Sequence, residues 1–97
     1  MKLFLDDVRP VPDGWVLAQT ASEAIAILAA GGVTEVSLDH DLGPDEAGTG
    51  YDVASWIEEQ AALGLLAPLT WGIHSANPVG RDRMTAALCS AERFWSR

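Results

Sequence analysis

Hydrophobic residues along the chain fall into four short runs that polar or helix-forming segments separate. Each run has the length of a strand and is bounded by charged or turn-forming residues. The pattern therefore predicts four β-strands. They are Leu3–Leu5, Trp15–Gln19, Glu35–Leu38 and Leu69–Ile73.

Helix signals follow three of these strands. Residues 20–23 form a capping-box pattern, and the helix it opens would end at Gly31-Gly32. Thr49 is a suitable cap for a second helix, and Asn77-Pro78 has the cap and first-turn residues of a third. We therefore expect about three helices, each placed after a strand.

The first two strands are joined by a loop. Residues 8–14 contain two prolines and an Asp-Gly step, which are incompatible with a helix. Strands that alternate with helices indicate an α/β fold with a parallel sheet. Because an extended loop of this length can just recross a short strand, we predict a four-stranded parallel sheet in the order 2-1-3-4.

Composition limits the possible functions. The 97 residues predict a single domain, 1–97, and 48% hydrophobic residues are enough for one core. With 14 acidic and 6 basic residues, the net charge of -8 argues against binding to duplex DNA or anionic lipid. The single cysteine, Cys89, and the lack of a signal peptide or membrane span predict a cytoplasmic protein.

Ionisable residues are concentrated where the predicted strands end. Ligands of open α/β sheets bind at this edge, near the switch in strand order. Clustered carboxylates repel one another unless they are protonated or hold a cation, and oxygen-rich sites suit Mg²⁺ or Mn²⁺. Asp6 and Asp7 follow the first strand, Asp39, His40 and Asp41 follow the third, and His74 follows the fourth.

The third helix adds a surface suited to anions. Its N-terminus, at Asn77-Pro78, directs free N–H groups toward the same edge, and Arg81 lies in its first turns. A cation facing an anion site is the arrangement expected for phosphoryl or phosphodiester chemistry. Structural roles remain alternatives: Asn77 could act only as a helix cap, and Arg9 could bond only to loop carbonyls.

Four motifs, in order along nearly the whole chain, resemble a known family. They are LDDVRP at 5–10, SLDHDLG at 37–43, GYD at 50–52 and HSANPVG at 74–80. The resemblance is to cyclic-phosphate processing receiver domains, which derive from the receiver domains of two-component signalling. It implies a truncated receiver-like (flavodoxin-like) three-layer sandwich and metal-assisted processing of a cyclic phosphate on an RNA end or a nucleotide.

The resemblance also implies roles for individual residues. Asp6 and Asp7 match the metal-binding pair of receivers, and Asp39 matches their phosphorylated aspartate. No segment corresponds to the receivers' fifth strand and its lysine, so phosphorylation-driven switching is not expected. The predicted metal ligands are Asp6, Asp7 and Asp39; the predicted catalytic residues are Asp39, His40, Asp41 and His74; the predicted substrate-binding residues are Arg9, Ser75, Asn77 and Arg81.

Two other functions fit the same residues. A non-catalytic receiver-like module could bind a divalent metal and a protein partner. The Asp-x-Asp pattern at 39–41 also occurs in haloacid-dehalogenase-type phosphatases, but no later acidic pair accompanies it here. We therefore expect a metal-dependent phosphodiesterase or phosphatase, with the binding module as the main alternative.

Overall fold

A computed structural model describes residues 1–97. All strand pairs are parallel and the sheet order is β2-β1-β3-β4. The predicted strand order, strand direction and number of α-helices are confirmed. The elements are β1 (Lys2–Leu5), β2 (Trp15–Ala18), α1 (Ala21–Ala29), β3 (Glu35–Leu38), a 3-10 turn (Asp45–Ala47), α2 (Gly50–Ala62), β4 (Thr70–Ile73) and α3 (Pro78–Trp95).

Each α-helix begins at the predicted cap. The Thr20 side chain accepts a hydrogen bond from the Glu23 amide, and the Asn77 side chain accepts one from the Gly80 amide. At α2, Thr49 and Asp52 form a reciprocal capping box. These bonds satisfy amides that a helix start leaves without partners, and they fix where α3 begins relative to the end of β4.

All three helices pack on one face of the sheet. Helix α2 contacts both α1 and α3, and the side chains of Leu3 and Leu5 are fully buried beneath the helical layer. Right-handed crossovers that proceed in one direction across a sheet place their helices on one face. Phe4 and Ser37 alternate with these core positions and lie on the opposite face.

The layering differs from the expected three-layer sandwich. Only the connection from β1 to β2 runs in the other direction across the sheet, and it is the loop at 6–14. The fold consequently has one helical layer on one sheet, and its second face carries no helix. The core lies between these two layers. None of the helices combines the length and the apolar composition that a membrane span requires.

Candidate functional site

Three of the predicted residues emerge side by side at the carboxyl edge of the sheet. The Asp39 amide donates to the Leu5 carbonyl at 3.0 Å, and the His74 amide donates to the Leu38 carbonyl at 3.0 Å. The parallel ladder thus continues one residue past β1, β3 and β4. One ligand atom each from Asp6, Asp39 and His74 lies within 4.8 Å of the others.

Asp6 is a fully buried carboxylate with every acceptor position in use. Its Oδ1 accepts the amides of Val8 at 2.9 Å and Arg9 at 2.8 Å. Its Oδ2 accepts hydrogen bonds from Arg9 Nη1 at 2.8 Å and from His74 Nε2 at 2.9 Å. Burial raises the pKa of Asp6, but these four hydrogen bonds outweigh it and hold the pKa far below its usual value.

Asp39 is buried too, but it has fewer partners. Its Oδ1 accepts the amide of His40 at 2.9 Å, and its Oδ2 lies 3.5 Å from Arg9 Nη1 without a hydrogen bond. Burial and the negative charge of Asp6 raise the pKa of Asp39, against the effect of the His40 amide and the Arg9 charge. Asp39 is therefore the carboxylate with free capacity for another ligand.

Arg9 provides the positive charge between these two acids. Its Nη1 reaches Oδ2 of both Asp6 and Asp39, at 2.8 and 3.5 Å. The hydrogen bond to Asp6 raises the pKa of Arg9, so the guanidinium stays charged. We call Asp6, Arg9, Ser37, Asp39 and His74 the inner cluster.

Both ring nitrogens of His74 are engaged. Nε2 faces the Asp6 carboxylate, which can only accept, so Nε2 carries a proton. Ser37 Oγ lies 2.7 Å from Nδ1 and donates to it when the ring is neutral. The ring also stacks on Phe4, with centroids 4.4 Å apart. Ser37 was not among the predicted site residues, although a serine two positions before Asp39 on a buried strand was an available signal.

A second group, the outer cluster, consists of His40, Asp41 and Asn77. His40 Nδ1 lies 2.9 Å from Asp41 Oδ1, and this hydrogen bond lowers the pKa of Asp41. Because Nδ1 donates to the carboxylate, a neutral His40 ring keeps an unprotonated Nε2 with no hydrogen bond. Asn77 Nδ2 contacts both Asp41 oxygens at 3.4 Å. The pair is oriented as an imidazole base held by a carboxylate.

Two glycines of the sequence motifs allow the helices to approach this edge. A Cβ at Gly50 would collide with the Asp39 carbonyl, and one at Gly80 would collide with the His40 ring. Helices α2 and α3 therefore start in direct contact with the residues that follow β3. Larger residues at either position would displace Asp39 or His40.

The other predicted residues lie at the same edge but do not point their polar groups into the inner cluster. Asp7 is half-buried, and its Oδ2 lies beside Gly43; it is not among the three converging ligands. Ser75 Oγ accepts the Asn77 amide at 3.1 Å. Arg81 Nη1 donates to the Ser75 carbonyl at 3.0 Å. The roles of Asp7 in metal binding, and of Ser75 and Arg81 in substrate binding, stay predictions.

The inner cluster fits a divalent cation by its donor set. Two carboxylates and one imidazole nitrogen are ligands that Mn²⁺ and related metals accept. His74, which was not predicted as a metal ligand, is the third group that converges with Asp6 and Asp39, and Asp7 is not one of the three. The two side-chain hydrogen bonds on Asp6 Oδ2, from Arg9 and His74, must rearrange for an ion to bind there.

A parallel 2-1-3-4 sheet with acids after β1 and β3 defines a receiver-like α/β domain. The family model described as "Cyclic-phosphate processing Receiver domain" matches residues 1–90, and the chain belongs to that family. No curated protein and no solved structure matches the chain.

Proposed function

We propose that this protein is a metal-dependent hydrolase that opens a cyclic phosphate on a nucleotide or an RNA end. The observation that carries the proposal is the convergence of Asp6, Asp39 and His74 within 4.8 Å at the carboxyl edge of the sheet. Membership of a family whose description refers to cyclic-phosphate processing supports the substrate class.

The inner cluster is the proposed cation site. Asp6, Asp39 and His74 would hold Mg²⁺ or Mn²⁺, with the carboxylates favouring either ion. Such a bound ion stabilises negative charge on a phosphate oxygen and makes a water molecule more acidic. A cyclic phosphodiester has one negative charge, so a neighbouring cation offsets much of its repulsion by the acidic protein.

The outer cluster is the proposed source of general-base catalysis. Asp41 holds the His40 ring with Nε2 free, so His40 can take the proton from an attacking water. The water oxygen bonds to phosphorus, the ring P–O bond breaks, and the leaving oxygen takes a proton from solvent. His74, predicted as a catalytic residue, is proposed here as a metal ligand and not as the general acid, because metal ligation and proton donation would both require its Nε2.

The test uses 2′,3′-cyclic AMP with Mn²⁺ or Mg²⁺ and measures release of the monophosphate. We expect turnover that a chelator abolishes and that Asp39→Asn and His40→Gln both eliminate. Asp45→Asn, which changes an exposed acid in the 3-10 turn, is the matched control and should retain activity. If the folded wild-type protein hydrolyses no cyclic or linear phosphoester with any of these metals, the hydrolase proposal is wrong.

The closed network of the inner cluster supports a second candidate, the non-catalytic binding module. Arg9 already neutralises the two acids, and both nitrogens of His74 have partners. A module of this kind would bind Mn²⁺ or a cyclic nucleotide, and a protein partner, without turnover. Equilibrium binding of 2′,3′-cyclic AMP with no product after prolonged incubation would favour it over the hydrolase.

A further inference from the structure

We propose that Arg9 is an internal counter-ion that a divalent cation displaces, so that the guanidinium and the cation bind the two acids in mutual exclusion. The inference rests on the metal-binding part of the proposed function. It assigns to Arg9 control over cation binding at Asp6 and Asp39.

The first argument is the position of the guanidinium. A single nitrogen, Arg9 Nη1, lies 2.8 Å from Asp6 Oδ2 and 3.5 Å from Asp39 Oδ2. A cation that ligates both acids competes for the same oxygens. Two positive charges at such short distances also repel each other strongly at a poorly solvated site. Joint occupancy is therefore unfavourable.

The second argument is the saturation of Asp6. Its Oδ1 is held by two backbone amides, whereas its Oδ2 is held by two side chains, those of Arg9 and His74. Backbone donors cannot leave without refolding the loop after β1. Exchange therefore takes place at Oδ2, where a side chain can rotate away while the Arg9 amide keeps the loop in place.

The third argument is the difference in exposure between the partners. The Arg9 side chain is 45% exposed, whereas those of Asp6 and Asp39 are 0% and 9% exposed. The guanidinium can therefore move into water without opening the core, but the acids cannot leave. Once displaced, it is a free positive charge at the rim where the sequence predicts Arg9 to contact a phosphate.

Calorimetric titration with Mn²⁺ tests the exchange. We expect Arg9→Gln to bind Mn²⁺ at least about tenfold more tightly than Arg93→Gln, because only the first removes the competitor. Arg93 has the same charge and lies in the last turn of α3, so it controls for net charge. Equal or weaker binding by Arg9→Gln would overturn the inference, and so would the absence of Mn²⁺ binding in the wild-type protein and both variants.

The wild-type protein gives a second readout that requires no substitution. Phenylglyoxal modifies free guanidinium groups, and peptide mass spectrometry reports the rate at each arginine. Saturating Mn²⁺ should raise the rate at Arg9 severalfold and leave Arg93 unchanged. A rate at Arg9 that stays constant or falls when Mn²⁺ binds would contradict displacement. Neither readout uses turnover, so loss of the hydrolase proposal alone would leave this inference standing.

Discussion

The inner and outer clusters lie at the same sheet edge but provide different environments for the same side-chain types. In the inner cluster, Asp6 is fully buried and His74 has both nitrogens bonded. In the outer cluster, the Asp41 side chain is 68% exposed and His40 keeps a free Nε2. The inner cluster suits exchange of a cation, whereas the outer cluster suits proton transfer.

The difference has a structural origin. The inner cluster follows the hydrogen-bond ladder of the sheet, which places consecutive strand ends in register. The outer cluster is built from the loop after β3 and the start of α3, where Asn77 caps the helix and also contacts Asp41. Backbone amides and neighbouring strands exclude water from the inner acids, and the loop leaves Asp41 open to water. The two histidines do not share this contrast, because the His40 side chain is 14% exposed and that of His74 is 20% exposed.

The largest expected effect is the loss of stability on removing the Asp6 charge. Asp6→Asn should lower the free energy of unfolding by about 3 kcal/mol, because it weakens four hydrogen bonds and leaves Arg9 without its main partner. Asp41→Asn, the same substitution in the outer cluster, should change it little because surface ion pairs contribute little. Urea denaturation of both variants measures the contrast, and equal losses would contradict it.

The pH dependence of stability should separate the two inner acids. Because folding lowers the pKa of Asp6, the contribution of Asp6 to stability is fully present above about pH 3.9, the pKa of an aspartate in the unfolded chain. This contribution is lost as the pH falls from that value toward the pKa of Asp6 in the folded protein. The raised pKa of Asp39 has the opposite effect: stability increases as the pH falls through that raised value toward about 3.9.

Urea denaturation across pH in the presence of a chelator tests both slopes. We expect Asp6→Asn to flatten the fall in unfolding free energy below about pH 4, where the unfolded state would otherwise take up a proton first. Asp39→Asn should instead remove the small rise above that pH. Identical profiles for both variants would show that the two acids do not differ as described.

The smallest expected effect concerns Ser37. Ser37→Ala removes the 2.7 Å hydrogen bond to His74 Nδ1 and should lower the unfolding free energy by about 1 kcal/mol. Nitrogen NMR of the His74 ring should show a less uniform preference for the Nε2-protonated form. Ser55→Ala on α2 is the control and should leave the His74 spectrum unchanged. An unchanged His74 spectrum in Ser37→Ala would contradict a role for the Ser37 hydroxyl.

The strand order was predictable because turn signals and helix caps are local. The loop at residues 8–14 was predicted from its prolines, but its consequence for the layers was not. A three-layer sandwich needs a helix on the second face, and only the connection from β1 to β2 could have provided one. The expectation of three layers followed the family resemblance rather than this constraint.

The site was predictable in position but not in its pairings. Successive residues of an extended chain point in opposite directions, which explains why Asp6 converges with Asp39 while Asp7 does not. The inclusion of His74 depends on the register between β3 and β4. The return of the Arg9 side chain onto Asp6 depends on the turn after β1, which the sequence spacing alone does not define.

Paramagnetic broadening by Mn²⁺ in the NMR spectrum of the wild-type protein tests the central claim most directly. The account predicts saturable broadening centred on the residues at the carboxyl ends of β1, β3 and β4, lost in Asp39→Asn and retained in Asp45→Asn. Broadening centred on the acids of the 3-10 turn, or unchanged by Asp39→Asn, would contradict a cation site at Asp6, Asp39 and His74.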